Sequence, residues 1–193
     1  MNRTALRRAG AAAGPLFVSA FLAEGATRPG YDPLRHPVSA LARGPRGWRQ
    51  RANFAVAGGL LLAGAAGLGR RGGLVGGLVG AAAVGLLGAG AFRTDPIAGY
   101  PSGAAEVKTR EGRLHDLFGL PVFLGMPAAA FVEARRGRGG WRLASAASGI
   151  GMLIFFVLAG AGFAGKPLPG GLYQRISLGV GFGWLTALLL RRR

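Results

Sequence analysis

Residues 143–165, LASAASGIGMLIFFVLAGAGFAG, form a run of 23 residues without a charged side chain. A helix needs about 20 mostly apolar residues to cross roughly 30 Å of hydrocarbon, so this stretch is long enough to span a bilayer. Polar and apolar residues do not alternate along it with a period of two, which disfavours a membrane strand. The stretch therefore predicts a transmembrane helix.

Five further uncharged stretches of 15 to 21 residues occur along the chain of 193 residues. The shorter ones need flanking residues to cover the bilayer. We therefore predict an all-α fold, a polytopic bundle of six transmembrane helices that forms one integral membrane domain over residues 1–193. The predicted spans are residues 9–25, 52–70, 72–92, 115–134, 143–164 and 172–190.

The charge balance is strongly basic, with 24 Lys and Arg against 7 Asp and Glu and a formal net charge of +17. Such a charge is typical of nucleic-acid binders, but these proteins spread it over a soluble surface. Here the charges cluster between uncharged stretches, which predicts membrane lipids as partners and no nucleic acid. The absence of cysteine excludes disulfides and Cys-ligated metal sites.

Lys and Arg are divided evenly between the two sides of the predicted membrane. The side with both termini packs them into short connectors in which Glu133 is the only acid, whereas the other side has longer loops with the other six acids. Dense basic clusters in short connectors orient a membrane protein with that side inside. We therefore predict a multi-pass protein of the bacterial cytoplasmic membrane with both termini in the cytoplasm.

The first span has an alternative interpretation as a cleaved signal peptide. A basic N-terminal segment precedes an apolar run, and Val18-Ser19-Ala20 resembles a small-residue cleavage site. The chain emerges on the same side in both cases, so the rest of the predicted topology does not depend on the choice.

Glycine is abundant, with 37 residues in the chain, and is concentrated in the third predicted span. Small residues four positions apart allow membrane helices to approach closely. This spacing relates Gly73 to Gly77, Gly76 to Gly80 and Gly179 to Gly183. The glycines predict close packing within the bundle or, alternatively, a homodimer formed through the glycine-rich spans.

Both histidines, His36 and His115, lie on the predicted outer side together with Asp95. Two imidazoles and a carboxylate can bind a divalent metal with an open position for water, or act as general acid and base near neutral pH. We therefore name His36, Asp95 and His115 as the candidate catalytic residues and candidate metal ligands. No other cofactor is predicted.

A structural interpretation of the same residues remains open. In it, Asp32-Pro33 and Asp95-Pro96 form turns, Asp116 caps the fourth span, and each histidine donates one hydrogen bond to the backbone. Ser39 would then cap a short helical turn over residues 39–43.

Arginines in the outer loops suggest a second function, that of a lipid-binding or transport module. We predict that Arg35 and Arg175 contact lipid phosphates, because the guanidinium group binds phosphate through paired hydrogen bonds. Their alternative role is simple anchoring at the interface. The six uncharged stretches place no charged residue near the middle of the predicted membrane, which disfavours ion-coupled transport.

Several short motifs occur in order along nearly the whole chain. They are Arg28-Pro29-Gly30-Tyr31, Pro37-Val38-Ser39-Ala40-Leu41, Gly47-Trp48 with Asn53-Phe54 and Gly58, Thr94-Asp95-Pro96, Gly112 with His115-Asp116, and Gln174-Arg175. In these motifs the chain resembles the six-span membrane proteins catalogued as domain of unknown function 998. The resemblance implies a six-span fold with no established activity. The expected protein is thus a membrane protein of unknown function with a structured outer loop face, and a hydrolase-like enzyme or a lipid-binding module are the alternatives.

Overall fold

The computed structural model describes residues 2–191, with every side chain in that range except that of Arg71. Over this range the chain is helical and contains no β-sheet. The α-helices are α1 (Arg3–Thr27), α2 (Gly47–Gly72), α3 (Leu74–Ala91), α4 (Arg110–Leu120), α5 (Met126–Arg136), α6 (Gly139–Phe163) and α7 (Gly170–Leu190). A 3-10 helix (Val38–Ala42) precedes α2, and the all-α prediction is confirmed.

α4 and α5 are two halves of one longer helix, joined by a π-helical turn at Pro121–Gly125. Proline has no backbone N–H and its ring collides with the carbonyl four residues earlier, so Pro121 disfavours a regular α-helical turn at this point. The wider turn accommodates the proline and keeps the helix continuous from residue 110 to residue 136. Turns of this kind often lie at functional sites.

Five helical segments in the described part of the chain are long and apolar enough to cross a membrane. They are α1, α2, α3, the combined helix from α4 to α5, and α6. α7 is not among them, and its first turns carry Gln174 and Arg175. The helical membrane bundle is confirmed, whereas the count of six spans remains a prediction.

The fourth helix begins five residues before the predicted span, at Arg110. Its N-cap is Thr109, whose hydroxyl accepts a hydrogen bond from the Gly112 N–H at 3.0 Å. Asp116 lies exposed inside the helix, 3.9 Å from the Lys108 ammonium group. The expectation that Asp116 caps this helix was therefore wrong, because the hydroxyl of Thr109, seven residues earlier, already satisfies a free amide of the first turn.

The short helix expected near Ser39 exists, but it spans Val38–Ala42 and its N-cap is Pro37. The Val38 N–H donates to the side-chain oxygen of Gln174 at 2.7 Å. A residue on α7 therefore takes the role that we expected of Ser39, and that prediction was wrong for this physical reason.

Both ends of the described part of the chain lie on one face of the bundle. α1 packs against α2 and α7, and the Arg7 Nε donates to the carbonyl of Leu189 at 3.0 Å. We call this the terminal face, and we call the opposite side, formed by residues 28–46, 92–109 and 164–169, the loop face. Which face lies in the cytoplasm remains a prediction.

Close helix contacts occur at particular glycines. A Cβ atom at Gly10 would overlap the Gly64 Cα, and one at Gly88 would overlap the Phe118 ring. In contrast, a Cβ atom at Gly77, Gly179 or Gly183 would meet nothing within 4 Å. The tightest contacts thus lie outside the spaced pairs, and the homodimer through those pairs remains a prediction.

Replacing Gly10 by alanine should destabilise the protein by about 1–3 kcal/mol, because α1 and α2 must move apart to admit one methyl group. The thermal midpoint of the detergent-purified protein measures this effect. Gly77→Ala is the matched control, since its methyl group points into open space. Equal midpoints for the two variants would contradict the close contact.

Candidate functional site

A buried carboxylate organises the loop face near the end of α1. Glu24 accepts hydrogen bonds from Arg28 at 3.0 Å, from Arg46 at 2.9 Å and from Arg49 at 3.3 Å. Burial of an unpaired carboxylate is costly, and three guanidinium groups remove that cost. Sequence reasoning missed this cluster, although the spacing of four residues between Glu24, near the end of α1, and Arg28, directly after it, was a signal.

Arg28 also fixes the short 3-10 helix. Its Nη1 donates to the carbonyl of Arg43 at 2.7 Å and its Nη2 donates to the carbonyl of Leu41 at 3.0 Å. Arg43 in turn donates to the carbonyl of Thr94 at 2.7 Å, which joins the first loop to the second. The loops of this face are therefore held by arginine side chains bound to backbone carbonyls.

Arg175 holds the first loop against α7. Its Nη1 donates to the carbonyls of Pro33 at 2.6 Å, His36 at 3.0 Å and Gly171 at 2.9 Å. Its Nη2 donates to the Tyr31 hydroxyl, and its guanidinium lies 5.5 Å from the centre of the Tyr31 ring. The group that we expected to bind an anion thus has carbonyl and phenol acceptors, and its contacts position the loop.

His36 is buried within the same loop. Its Nδ1 accepts a hydrogen bond from the Asp32 N–H at 2.8 Å, and the ring also hydrogen-bonds to the Ala98 backbone. The rings of Tyr31 and Tyr100 lie 5.4 Å and 5.2 Å from it. Both ring nitrogens are therefore engaged, and the neutral tautomer carries its proton on Nε2.

The environment of His36 favours the neutral ring. Burial lowers the pKa of His36, and the positive charges of Arg35 and Arg175 lower it further. The negative charge of Asp32 and the hydrogen bond to Ala98 act in the opposite direction and do not cancel the effect of burial. His36 is thus uncharged at neutral pH.

Asp95 supports the beginning of α4. Its two carboxylate oxygens accept hydrogen bonds from the Thr109 N–H at 2.8 Å and from the Thr109 hydroxyl at 2.7 Å. Burial alone would raise the pKa of Asp95, but the hydrogen bonds from Thr109 lower it below its usual value. A Cβ atom at Gly112 would collide with this carboxylate, so glycine is needed there.

His115, on α4, differs from the other two candidates because one ring nitrogen remains available. The residue is only 6 % exposed. Its Nδ1 lies 3.1 Å from the Ala89 carbonyl and 2.9 Å from the Phe92 carbonyl. Two acceptors at Nδ1 require the proton there, so in the neutral ring Nε2 carries the lone pair and is a hydrogen-bond acceptor. Among residues 2–191, Nε2 has no hydrogen-bond partner.

The three candidate residues do not form one cluster. No group of three or more His, Asp or Glu side chains that could hold a metal ion exists in the described part of the chain. His36 contacts the first loop, Asp95 binds Thr109, and His115 lies beside a cavity. Their catalytic and metal-binding roles remain untested predictions.

That cavity, of about 260 Å³, lies in the half of the bundle nearest the loop face. Most of its lining is apolar and comes from α1, α2, α3, α4, α6 and α7. Its polar residues are Ser39, Thr94, His115, Asp116 and Gln174. Sequence reasoning did not identify the cavity, although all five of these residues belong to the motifs quoted above.

The cavity exists because the combined helix from α4 to α5 packs against α6 over only one half of its length. α5 packs against α6, whereas α4 packs chiefly against α3. The rings of Phe123 and Phe156 stack with their centres 4.7 Å apart. They close the end of the resulting gap that lies nearer the terminal face. Leu120 and Gly160 line the cavity and are also exposed on the outside of the bundle. The cavity therefore opens sideways, between α4 and α6.

A second, more polar cleft of about 610 Å³ lies beside the first, between the first loop and the connection from α6 to α7. Arg35, Glu106 and Lys166 line it. Phe163 lines both the cavity and the cleft. The two spaces are thus neighbours, one apolar and one charged.

The buried neutral His36 makes stability depend on pH. Because its folded pKa lies below the unfolded value of 6.5, its contribution is complete above that value and is lost as pH falls through the folded pKa. The temperature of the thermal midpoint should therefore decrease as the pH is lowered from about 8 to about 5. His36→Asn keeps an acceptor for the Asp32 N–H without titrating, so the thermal midpoint of this variant should change less with pH than that of the wild type. The same dependence on pH in both proteins would contradict this account.

Asp95→Asn should destabilise the protein by about 1–3 kcal/mol, because the amide nitrogen places a donor opposite a donor of Thr109. Thermal unfolding in detergent measures the loss. Asp116→Asn is the control, since Asp116 is exposed and has only a long contact with Lys108. A stable Asp95→Asn protein would argue against a supporting role for Asp95.

Comparison with known proteins gives a family for the chain. The model of the family described as "Protein of unknown function (DUF998)" matches residues 11–191. No curated protein and no solved structure matches the chain. Because the match covers most of the sequence, including the cavity, the cleft and all three candidate residues, the chain belongs to the DUF998 family of proteins of unknown function.

Proposed function

We propose that this protein binds one membrane lipid, whose acyl chain enters the cavity between α4 and α6. The protein would cross the bacterial cytoplasmic membrane six times with both termini in the cytoplasm, which places the loop face and the cavity in the outer half of the bilayer. The sixth span would be α7, whose 21 residues pack against α1 and α6. The observation that carries the proposal is an apolar cavity that opens sideways from the bundle.

The size and lining of the cavity suit an alkyl chain. An apolar cavity of about 150 Å³ in a soluble protein is large enough to bind benzene, and this cavity measures about 260 Å³. Its side opening between Leu120 and Gly160 would face lipid chains, so a chain would enter without passing through water.

Affinity for a particular lipid must come from its polar end. Lipid tails are as apolar as the cavity, so transfer of a chain from the bilayer brings little hydrophobic gain. His115 supplies an acceptor at Nε2, and Ser39 and Thr94, which also line the cavity, carry hydroxyl groups. These groups suit a hydroxyl or ester near the head of the lipid.

Lipid binding is favoured over hydrolysis by the surroundings of His115. In hydrolases with a catalytic histidine, a carboxylate at the second ring nitrogen stabilises the imidazolium that forms during the reaction. At His115 that position is taken by the neutral carbonyls of Ala89 and Phe92. The hydrogen bonds orient the ring and do not supply a compensating charge.

Filling the cavity tests the proposal. Gly160 lines the cavity, and a Cβ atom there would meet nothing within 4 Å. Gly160→Leu should therefore occupy the cavity without displacing a helix. In phosphatidylcholine nanodiscs that contain a phospholipid with a photoreactive acyl chain, crosslinking to residues 117–123 and 156–163 should fall about tenfold, equivalent to about 1.4 kcal/mol.

Gly183→Leu is the matched control, because Gly183 is exposed, has equal space and lies outside the cavity. It should crosslink as the wild type does. Equal labelling of the wild type, Gly160→Leu and Gly183→Leu would overturn the proposal. Labelling that is spread evenly over the bundle surface would also overturn it.

A further inference from the structure

We infer that the bound lipid is an anionic phospholipid, and that Arg35 and Lys166 bind its phosphate in the cleft beside the cavity. This inference rests on the proposed lipid-binding function. It concerns the class of lipid, which the apolar cavity alone does not select.

Arg35 and Lys166 are the two cations of this cleft, and both side chains are exposed. Within residues 2–191, neither side chain makes a hydrogen bond or an ion pair. They contrast with Arg28 and Arg175, whose guanidinium groups are committed to the protein. Arg35 and Lys166 can therefore bind an external anion without breaking an internal contact.

The backbone that carries these two side chains is already ordered. The Arg35 N–H donates to the Asp32 carbonyl at 3.2 Å, and the Lys166 N–H donates to the Ala161 carbonyl at 3.1 Å. The Leu172 N–H donates to the Leu34 carbonyl at 3.0 Å, which ties the start of α7 to the first loop. Binding would thus order only the side chains, which lowers its entropic cost.

The cleft and the cavity suit one molecule with a charged head and an apolar tail. Phe163 forms part of both walls. Ile97 lines the cavity, and the next residue, Ala98, lines the cleft. A phosphate in the cleft would therefore place the attached acyl chain beside the cavity.

The charge of the cleft favours a net negative headgroup. Glu106 is the acidic residue of its lining, and one of its oxygens accepts a hydrogen bond from the Gly99 N–H at 2.9 Å. Two cations against one carboxylate leave a net positive charge. Arginine can bind phosphate through paired hydrogen bonds and lysine adds a point charge, so the arrangement suits phosphatidylglycerol better than phosphatidylethanolamine.

Native mass spectrometry of the full-length protein with equal amounts of these two lipids, carrying the same acyl chains, tests the inference. The wild type should bind phosphatidylglycerol about tenfold more strongly. In Arg35→Gln/Lys166→Gln the preference should fall to about one while total lipid binding persists through the cavity. Equal binding by the wild type, or an unchanged preference in the double variant, would overturn the inference.

Arg110→Gln/Arg113→Gln is the matched control. It removes the same charge from the loop-face end of α4, and both side chains are exposed and without hydrogen bonds or ion pairs to the described residues. It should keep the preference for phosphatidylglycerol, and a loss of preference there would show a general charge effect and overturn the assignment to the cleft.

Two further outcomes separate the possible failures. Soluble glycerol phosphate should not displace phosphatidylglycerol, and displacement would show that the cleft binds a free phosphoester and overturn the lipid assignment. If the wild type binds neither phospholipid, the proposed function itself fails and the inference fails with it. Lipid binding without charge preference overturns only the inference.

Discussion

The guanidinium group of Arg175 links α7 to the first loop, and the rest of the loop face depends on this contact. It donates to three backbone carbonyls of two segments and to the Tyr31 hydroxyl. A buried cation without a carboxylate partner is tolerated only when several oriented dipoles surround it. The acceptors on Tyr31, Pro33 and His36 belong to the turn at residues 31–36, which also carries Arg35. The same turn leads into Pro37 and Val38, which form part of the cavity wall.

Arginine has two different uses on this face. Around Glu24, guanidinium groups neutralise a buried carboxylate and bind carbonyls, and these contacts join α1, the 3-10 helix and α2. Beside the cavity, Arg35 and Lys166 face the cleft and have no internal partner in the described chain. The distinction matters because a committed charge positions the backbone, whereas an uncommitted charge can bind a ligand. The amino-acid composition alone does not distinguish charged side chains that have internal partners from those that have none.

The cavity follows from a change of neighbour along a single helix. On the terminal-face side of the π-helical turn, α5 packs against α6. On the loop-face side, α4 packs chiefly against α3. Phe123 and Phe156 mark the level at which contact with α6 ends. The turn contributes Val122 and Phe123 to the cavity wall, and His115 lies seven residues before Val122 on the same helix. One local irregularity thus coincides with the part of the helix that lines the cavity beside His115.

The sequence by itself determined the helical class, because uncharged stretches, prolines and glycines act locally. It also placed His36, Asp95 and His115 on one face, since alternate connectors must lie on alternate sides. It did not reveal that Thr109 and Gln174 supply the helix caps, that Asp95 binds Thr109, or that Arg175 is committed while Arg35 is not. These outcomes were decided by the tertiary structure, because a side chain's partner can lie 182 residues away along the chain, and neither periodicity nor charge counts specify such contacts.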